Sequence, residues 1–273
     1  MILKVACIQT NAGPEIGGNL KQIEPFIRLA CERGAQLIAL PENVSMMVRG
    51  RENTVARAKS EAEHPAIPFF KRMAKETGAW ILGGSLAIAL GHEKLANRSY
   101  LFSPKGEIAA AYDKIHMFDA DVGADERYRE SETYRGGNRA VTGETPWGKI
   151  GLTICYDVRF PHLYRVLAKA GAVVIAAPAA FTVPTGKLHW HVLLRARAIE
   201  TGAFILAPAQ CGTHDGGRRT YGHSLIIDPL GQIITEAGEE PGIIMADLDL
   251  DKVTEARRML PSLTHDCEFE KAC

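Results

Sequence analysis

The 273-residue chain has no surplus of charge: 32 Lys and Arg balance 32 Asp and Glu. A protein that grips nucleic acid needs a basic surface to displace counterions from phosphate, so the balance argues against that partner. No apolar run reaches the length that spans a bilayer, which argues against a membrane partner. The opening residues, MILKVACIQTNAGP, lack the positive segment, apolar stretch and small-residue cleavage site of a signal peptide. They read as a strand running into a turn. The six cysteines (Cys7, Cys31, Cys155, Cys211, Cys267 and Cys273) form no CxxC pair, zinc spacing or disulfide framework. A reducing, cytoplasmic setting is expected. No linker, low-complexity tract or short repeat interrupts the chain, so one domain over 1–273 is expected, with 260–273 as a tail.

What is present is an alternation of strand-like and helix-like segments. Strands are predicted at 3–10, 35–42, 79–88, 99–103, 107–113, 171–179, 203–210, 224–229, 232–238 and 242–249, with one more ending at Cys155. Helical spacing marks 18–34, 65–77, 161–170, 187–201 and 250–260, the last with Asp249 as a cap. Residues 117–138 form the least regular stretch, and a loop that long inside a compact unit points to function. The alternation predicts an α/β fold with helices covering a sheet. Hairpins at 99–113 and 224–236 argue for a mixed sheet, or for two sheets face to face.

Three chemically capable residues each follow an apolar run. Glu42 ends LIALPE, Lys114 follows AAAYD, and Cys155 ends the run in GLTICYD. In α/β sheets, ligands bind outside the carboxyl ends of strands. A carboxylate, an ammonium and a thiol in one pocket suit acyl transfer. The carboxylate takes the thiol proton and returns it to the leaving amine; the ammonium holds the oxyanion and lowers the thiol pKa. The bland alternatives stay open on spacing alone: Cys155 can pack, Glu42 can cap a turn, and Lys114 can be a solvated charge. A Cys-His hydrolase would instead pair Cys155 with His116 or His189.

Over nearly its whole length the chain resembles the nitrilase superfamily of carbon–nitrogen hydrolases. The marks are Glu in LPE, Lys in YDKIHMFD and Cys in GLTICYDVRFP. The resemblance implies an α-β-β-α sandwich of two mixed sheets with helices outside, and a Glu-Lys-Cys triad. Glu42 would be general base and acid, Lys114 the oxyanion stabiliser and Cys155 the nucleophile. The Tyr156 N–H would complete the oxyanion hole, and Glu130 would orient substrate or triad, with Glu126 as the weaker match. No metal and no organic cofactor are implied, and a homodimer or larger homo-oligomer is. CYDVRFPHLY, FTVPTGKLHWHVLLRARAIE and RRTYGHSLIIDPLG resemble amidases acting on deaminated glutathione and ω-amides. The implied reaction is hydrolysis of a small carboxylate-bearing amide to acid and ammonia through a thioester. Deaminated glutathione leads as substrate; α-ketoglutaramate and N-carbamoyl amino acids are alternatives, and a silent scaffold is the non-enzymatic one. His162 stands where the family usually has Glu.

Further candidates surround this core. Arg159 could hold a substrate carboxylate or open a helix with a salt bridge. Phe118, in the irregular stretch, and Phe181, Thr182 and Thr185 could line the pocket; for the last three, turn and cap chemistry is the alternative. His189 and His191 do not share a helix face, which argues against a metal pair. Arg195 and Arg197 read as structural, Gly216-Gly217 as a turn, and Cys7, Cys31 and Cys211 as packing residues. Cys267 and Cys273 read as inert tail thiols.

Overall fold

A computed structural model describes residues 1–91, 94–122 and 126–270. In chain order, the first half holds β1 (Ile2–Gln9), α1 (Ile16–Glu32), β2 (Leu37–Ala39), α2 (Arg51–Arg57), α3 (Ala66–Thr77), β3 (Trp80–Ala89), β4 (Leu95–Phe102) and β5 (Ile108–Asp113). A small hairpin, β6 (Asp119–Asp121) and β7 (Arg127–Arg129), and a short α4 (Glu130–Thr133) come next. The second half holds β8 (Val141–Thr145), β9 (Gly148–Leu152), α5 (Pro161–Lys169), β10 (Ala172–Ala176), α6 (Val183–Thr201), β11 (Phe204–Ala207), β12 (Cys211–Thr213), β13 (Arg219–Tyr221), β14 (Leu225–Ile227), β15 (Ile233–Glu236), β16 (Gly242–Asp249) and α7 (Asp251–Met259).

Two six-stranded sheets carry the architecture, ordered β16-β1-β2-β3-β4-β5 and β15-β14-β11-β10-β9-β8. Each has three parallel strands, β1-β2-β3 and β9-β10-β11, flanked by antiparallel neighbours. Read from β16 and from β8, the two sheets repeat one order of pairings. The period-2 pattern of β1 shows how the layers arise. Leu3, Val5 and Cys7 pack in the core shared with Ile150, Leu152 and Val174 of the second sheet. Ala6 and Ile8 pack with Ile23 and Ile27 of α1 and Phe70 and Met73 of α3. On the far side, Leu163 and Leu167 of α5 and Trp190 and Leu194 of α6 join the core of the second sheet. The result is the helix–sheet–sheet–helix sandwich of two mixed sheets.

Several boundaries differ from the sequence reading. α6 begins at Val183, because Pro184 suits the first turn of a helix and periodicity cannot see a start made by a proline. α7 begins at Asp251; Asp249 Oδ1 still accepts the Asp251 N–H at 3.2 Å. α2 carries a weak apolar stripe, Thr54 being its buried residue, so periodicity does not reveal it. The irregular stretch contains β6, β7 and α4; its residues 123–125 lie outside the described residues. The tail is anchored as far as Asp266, which pairs with Arg165 and Lys169 of α5. Cys7 and Cys211 are buried, Cys31 is half-buried and Cys267 is exposed, while Cys273 lies outside the described residues. Among the described residues, no helix is long and apolar enough to cross a membrane.

One close approach fixes the corner that carries Glu42. Gly84 of β3 has φ +60°, and a Cβ there would overlap the Pro41 oxygen. Ser85 N–H donates to that same oxygen at 3.3 Å, so the LPE corner rests on this part of β3. Gly84→Ala should therefore lower the melting temperature by about 3–10 °C, from left-handed strain plus overlap with Pro41. Calorimetry checks this; an unchanged melting temperature would show that the corner yields freely.

Candidate active site

The parallel strands of both sheets end on one cavity of about 770 Å³. Glu42 follows β2, Cys155 follows β9, Ala180 follows β10, and Lys114 follows β5. Ten of the residues singled out in the sequence line it: Glu42, Lys114, Phe118, Glu130, Cys155, Tyr156, Arg159, Phe181, Thr182 and Thr185.

At the floor, Lys114 is 2% exposed and Glu42 is 3% exposed. A buried charge survives only when paired and hydrogen-bonded. Lys114 Nζ donates to Glu42 Oε1 at 3.0 Å and to Glu130 Oε1 and Oε2 at 2.9 and 2.8 Å. Asn97 Nδ2 donates to Glu42 Oε1 at 2.9 Å and to Glu130 Oε1 at 3.2 Å. The Ala180 N–H donates to Glu42 Oε2 at 2.8 Å, and the Phe118 N–H to Glu130 Oε2 at 2.6 Å. Gln210 Nε2 donates to the Glu42 carbonyl at 3.0 Å. The ammonium sits between the two carboxylates.

Cys155 opens a 3₁₀ turn, Cys155–Arg159, with φ +47°. A non-glycine residue held left-handed costs about 1–3 kcal/mol and persists only where its surroundings over-determine it. Here Asp157, fully buried, supplies the restraint. Its carboxylate accepts the Ile154 N–H at 2.9 Å, the Tyr112 hydroxyl at 2.7 Å and the His116 N–H at 3.1 Å. The Cys155 N–H donates to the Pro178 oxygen at 2.9 Å. As second residue of the turn, Tyr156 has no intrahelical acceptor for its N–H.

The protonation pattern follows from these contacts. Burial would push the Glu42 carboxyl up, but Lys114 holds it below the ordinary value of 4.5. Burial would strip the proton from Lys114, yet Glu130 and Glu42 raise its pKa well above normal. The Cys155 thiol is pushed well above 9.0, first by burial and then by the Glu42 charge, against which Lys114 acts only in part. The ammonium does pull the thiol pKa down, as the sequence reading expected, but burial and the Glu42 charge outweigh it and the net shift is upward. The resting arrangement is carboxylate, ammonium and neutral thiol, with the Glu42 charge favouring the protonated thiol.

Neither histidine of the rival pairing reaches Cys155. His116 Nδ1 lies 2.7 Å from Asp157 Oδ1, and its ring stacks on Phe160. His189 Nδ1 takes the Arg159 guanidinium at 3.3 and 3.4 Å. Arg159 lies over the rings of Tyr156 and Phe181. Thr182 and Thr185 line the cavity but also bond each other at 2.8 Å, so both readings of that pair hold. Glu126 also lines the cavity, and its carboxylate accepts the Tyr128 hydroxyl. Arg197 pairs with Glu200 and donates to the Val158 oxygen, and Arg195 donates to Gly231. His191 shares the Glu236 carboxylate with His223, away from the cavity. The sequence reading missed Asn97, Asp157, Gln210 and Arg218. Asp157 lies in the quoted CYD motif and was legible there as a short polar residue opening a turn; the other three become neighbours of Glu42 only in three dimensions.

Known proteins can now be set beside this geometry. Residues 4–258 match the family described as Carbon-nitrogen hydrolase. A deaminated glutathione amidase of Synechocystis is 40% identical over 264 residues, covering 95% of this chain and 96% of its own. The Caenorhabditis elegans NitFhit crystal structure superposes with TM-score 0.88 at 30% identity, covering 97% of this chain, which spans 65% of that longer one. A cysteine-to-alanine mutant of the Nesterenkonia AN1 amidase, from the nitrilase superfamily, superposes with TM-score 0.80 at 27% identity, each chain covered to 95%. Another structure of that amidase shows the result of Michael addition of acrylamide at its active site cysteine.

Two outcomes are expected. Asp157→Ala should cost about 3–5 kcal/mol, since it strips several buried donors of their acceptor; denaturant unfolding measures it, and a loss below about 1 kcal/mol would refute the bracing role. The pH profile of kcat/KM should lose activity as pH falls through the depressed Glu42 pKa, because its carboxylate is the competent form. The acid limb should thus lie below 4.5, with none near the histidine value of about 6.5. A limb at that higher value would revive the Cys-His pairing.

Proposed function

The chain belongs to the carbon–nitrogen hydrolase family of the nitrilase superfamily, as an amidase acting on bonds other than peptide bonds, and from that premise we propose that it cleaves deaminated glutathione through a Cys155 thioester. The observation that supports the mechanism is that Cys155 opens on the same cavity as a Glu42 carboxylate held ionised by Lys114 at 3.0 Å.

Glu42 takes the thiol proton as the sulfur attacks the amide carbon. The oxyanion forms beside the Lys114 ammonium and the Tyr156 N–H. Glu42 then returns the proton to the amide nitrogen, the C–N bond breaks, and the amine leaves. Water gives a proton to the freed Glu42 carboxylate and attacks the thioester. The sulfur departs, takes that proton back, and the acid is released. Glu130 supports this by holding Lys114 and by accepting the Phe118 N–H. Arg159 offers a cation to the carboxylate on the acyl side.

Deaminated glutathione expels cysteinylglycine, not ammonia; ammonia is the product only for a primary amide such as α-ketoglutaramate. The same acyl group, α-ketoglutaryl, is transferred in both cases. A cavity of about 770 Å³ exceeds what the smaller amide needs and suits a tripeptide-sized substrate, which favours deaminated glutathione. The name carried by the Synechocystis relative supports the same choice.

Assays of α-ketoglutarate release should show turnover of deaminated glutathione. Cys155→Ala should reduce kcat by about 10⁴-fold or more, and Lys114→Met by about 10²- to 10³-fold. Mass spectrometry of rapidly quenched wild type should catch the acyl adduct on Cys155. Full activity without Cys155 would sink the mechanism, and a Lys114 effect confined to KM would remove the oxyanion role.

A further inference from the structure

Among the described residues, three guanidinium groups of the cavity wall, Arg49, Arg159 and Arg218, have no carboxylate partner. Arg127 and Arg129 pair with Asp121, and Arg51 donates to the Glu132 oxygen. Of the other three, Arg49 donates to the Gly216 oxygen, and Arg218 is the one that holds a buried donor without an acceptor among the described residues. Arg218 lies over the Tyr128 ring, with its carbon 5.3 Å from the centroid. Its Nη2 donates to the Ala180 oxygen at 2.8 Å, and its Nε–H is buried without an acceptor. An unmatched buried donor on a half-buried cation costs free energy, and the part of the guanidinium that faces the cavity is open to a carboxylate.

The backbone of Ala180 locates this cation relative to the chemistry. Its N–H donates to Glu42 Oε2 at 2.8 Å, and its oxygen accepts from Arg218 at 2.8 Å. Two such bonds and the N-to-O width of one residue put Arg218 Nη2 within about 9 Å of Glu42 Oε2. Glu42 must reach the leaving nitrogen to protonate it, so whatever that nitrogen carries begins at Glu42. A leaving group of two extended residues spans at most about 7 Å from nitrogen to terminal carboxylate. Cysteinylglycine ends within reach of Arg218. Arg159, held by His189 beside Tyr156, lies on the turn of the nucleophile instead.

We propose that Arg218 is a second carboxylate subsite, which binds the terminal carboxylate of the leaving dipeptide and selects peptide-sized amides over primary ones. The proposal rests on the amidase reading above. It divides the two anionic ends of the substrate between the two cations: Arg159 faces the acyl end, Arg218 the leaving end.

The test compares three substrates on wild type and Arg218→Gln: deaminated glutathione, the same compound with its terminal carboxylate converted to carboxamide, and α-ketoglutaramate. Arg218→Gln should lower the ratio of kcat/KM for deaminated glutathione over α-ketoglutaramate by about tenfold or more, mainly through KM. Wild type should show a similar loss on the carboxamide, and the variant should lose little further on it. Arg218→Lys should recover part of the ratio. Turnover of α-ketoglutaramate reports that the variant is folded, and the carboxamide arm needs no variant. Equal losses on both natural amides would make Arg218 a support for Glu42, and an unpenalised carboxamide would overturn the subsite. Failure of wild type on both amides would instead reject the functional reading, and the subsite with it.

Discussion

The buried ammonium of Lys114 lies between the Glu42 and Glu130 carboxylates, and the rest of the site depends on that arrangement. Remove the cation and two carboxylates face each other in a low-dielectric floor, where one must take up a proton. With it in place, Glu42 stays ionised although buried. Glu130 matters for the same reason: it takes part of the lysine's charge, so Lys114 need not be neutralised by Glu42 alone. Asn97, reaching both acids, ties the cluster to β4.

Holding these groups together is the task of the double sheet. Glu42 leaves a parallel strand of one sheet and Cys155 a parallel strand of the other, so the sheets must stack in register for the two to meet. Ala180 and Gln210 bond Glu42 across that boundary. The isolated bridge between Thr10 and Gln210 joins the same ends. On the thiol side, Asp157 holds a left-handed cysteine by satisfying groups from β5, from the His116 segment and from the turn itself. Strain at Cys155 is balanced by the buried Asp157 carboxylate.

The electrostatics of floor and wall differ. On the floor both carboxylates share the Lys114 ammonium and the Asn97 amide, which keeps these groups in defined protonation states. On the wall, Arg159 and Arg218 are supported by aromatic rings and by neutral acceptors rather than by acids. Such cations are open to anionic ligands, because no internal carboxylate must first be displaced.

The local chemistry was legible in the chain itself. Apolar runs ending in Glu42, Lys114 and Cys155 marked strand ends, and period-2 and helical patterns marked most of the elements, because burial on one face imposes those periods. Hairpin turns showed that the sheets are mixed. What the sequence could not decide was long-range. It could not tell which partner Cys155 has: His116 was as available as Glu42 until the fold committed His116 to Asp157. Nor could it set the sign of the thiol's shift, since burial beside Glu42 outweighs the Lys114 charge that local reasoning emphasised. Arg218 opens the quoted RRTYGHS segment, 176 positions beyond Glu42, and only the shared backbone of Ala180 brings the two together. Residue type and periodicity are properties of neighbours along the chain, whereas pairing, desolvation and charge depend on neighbours in space.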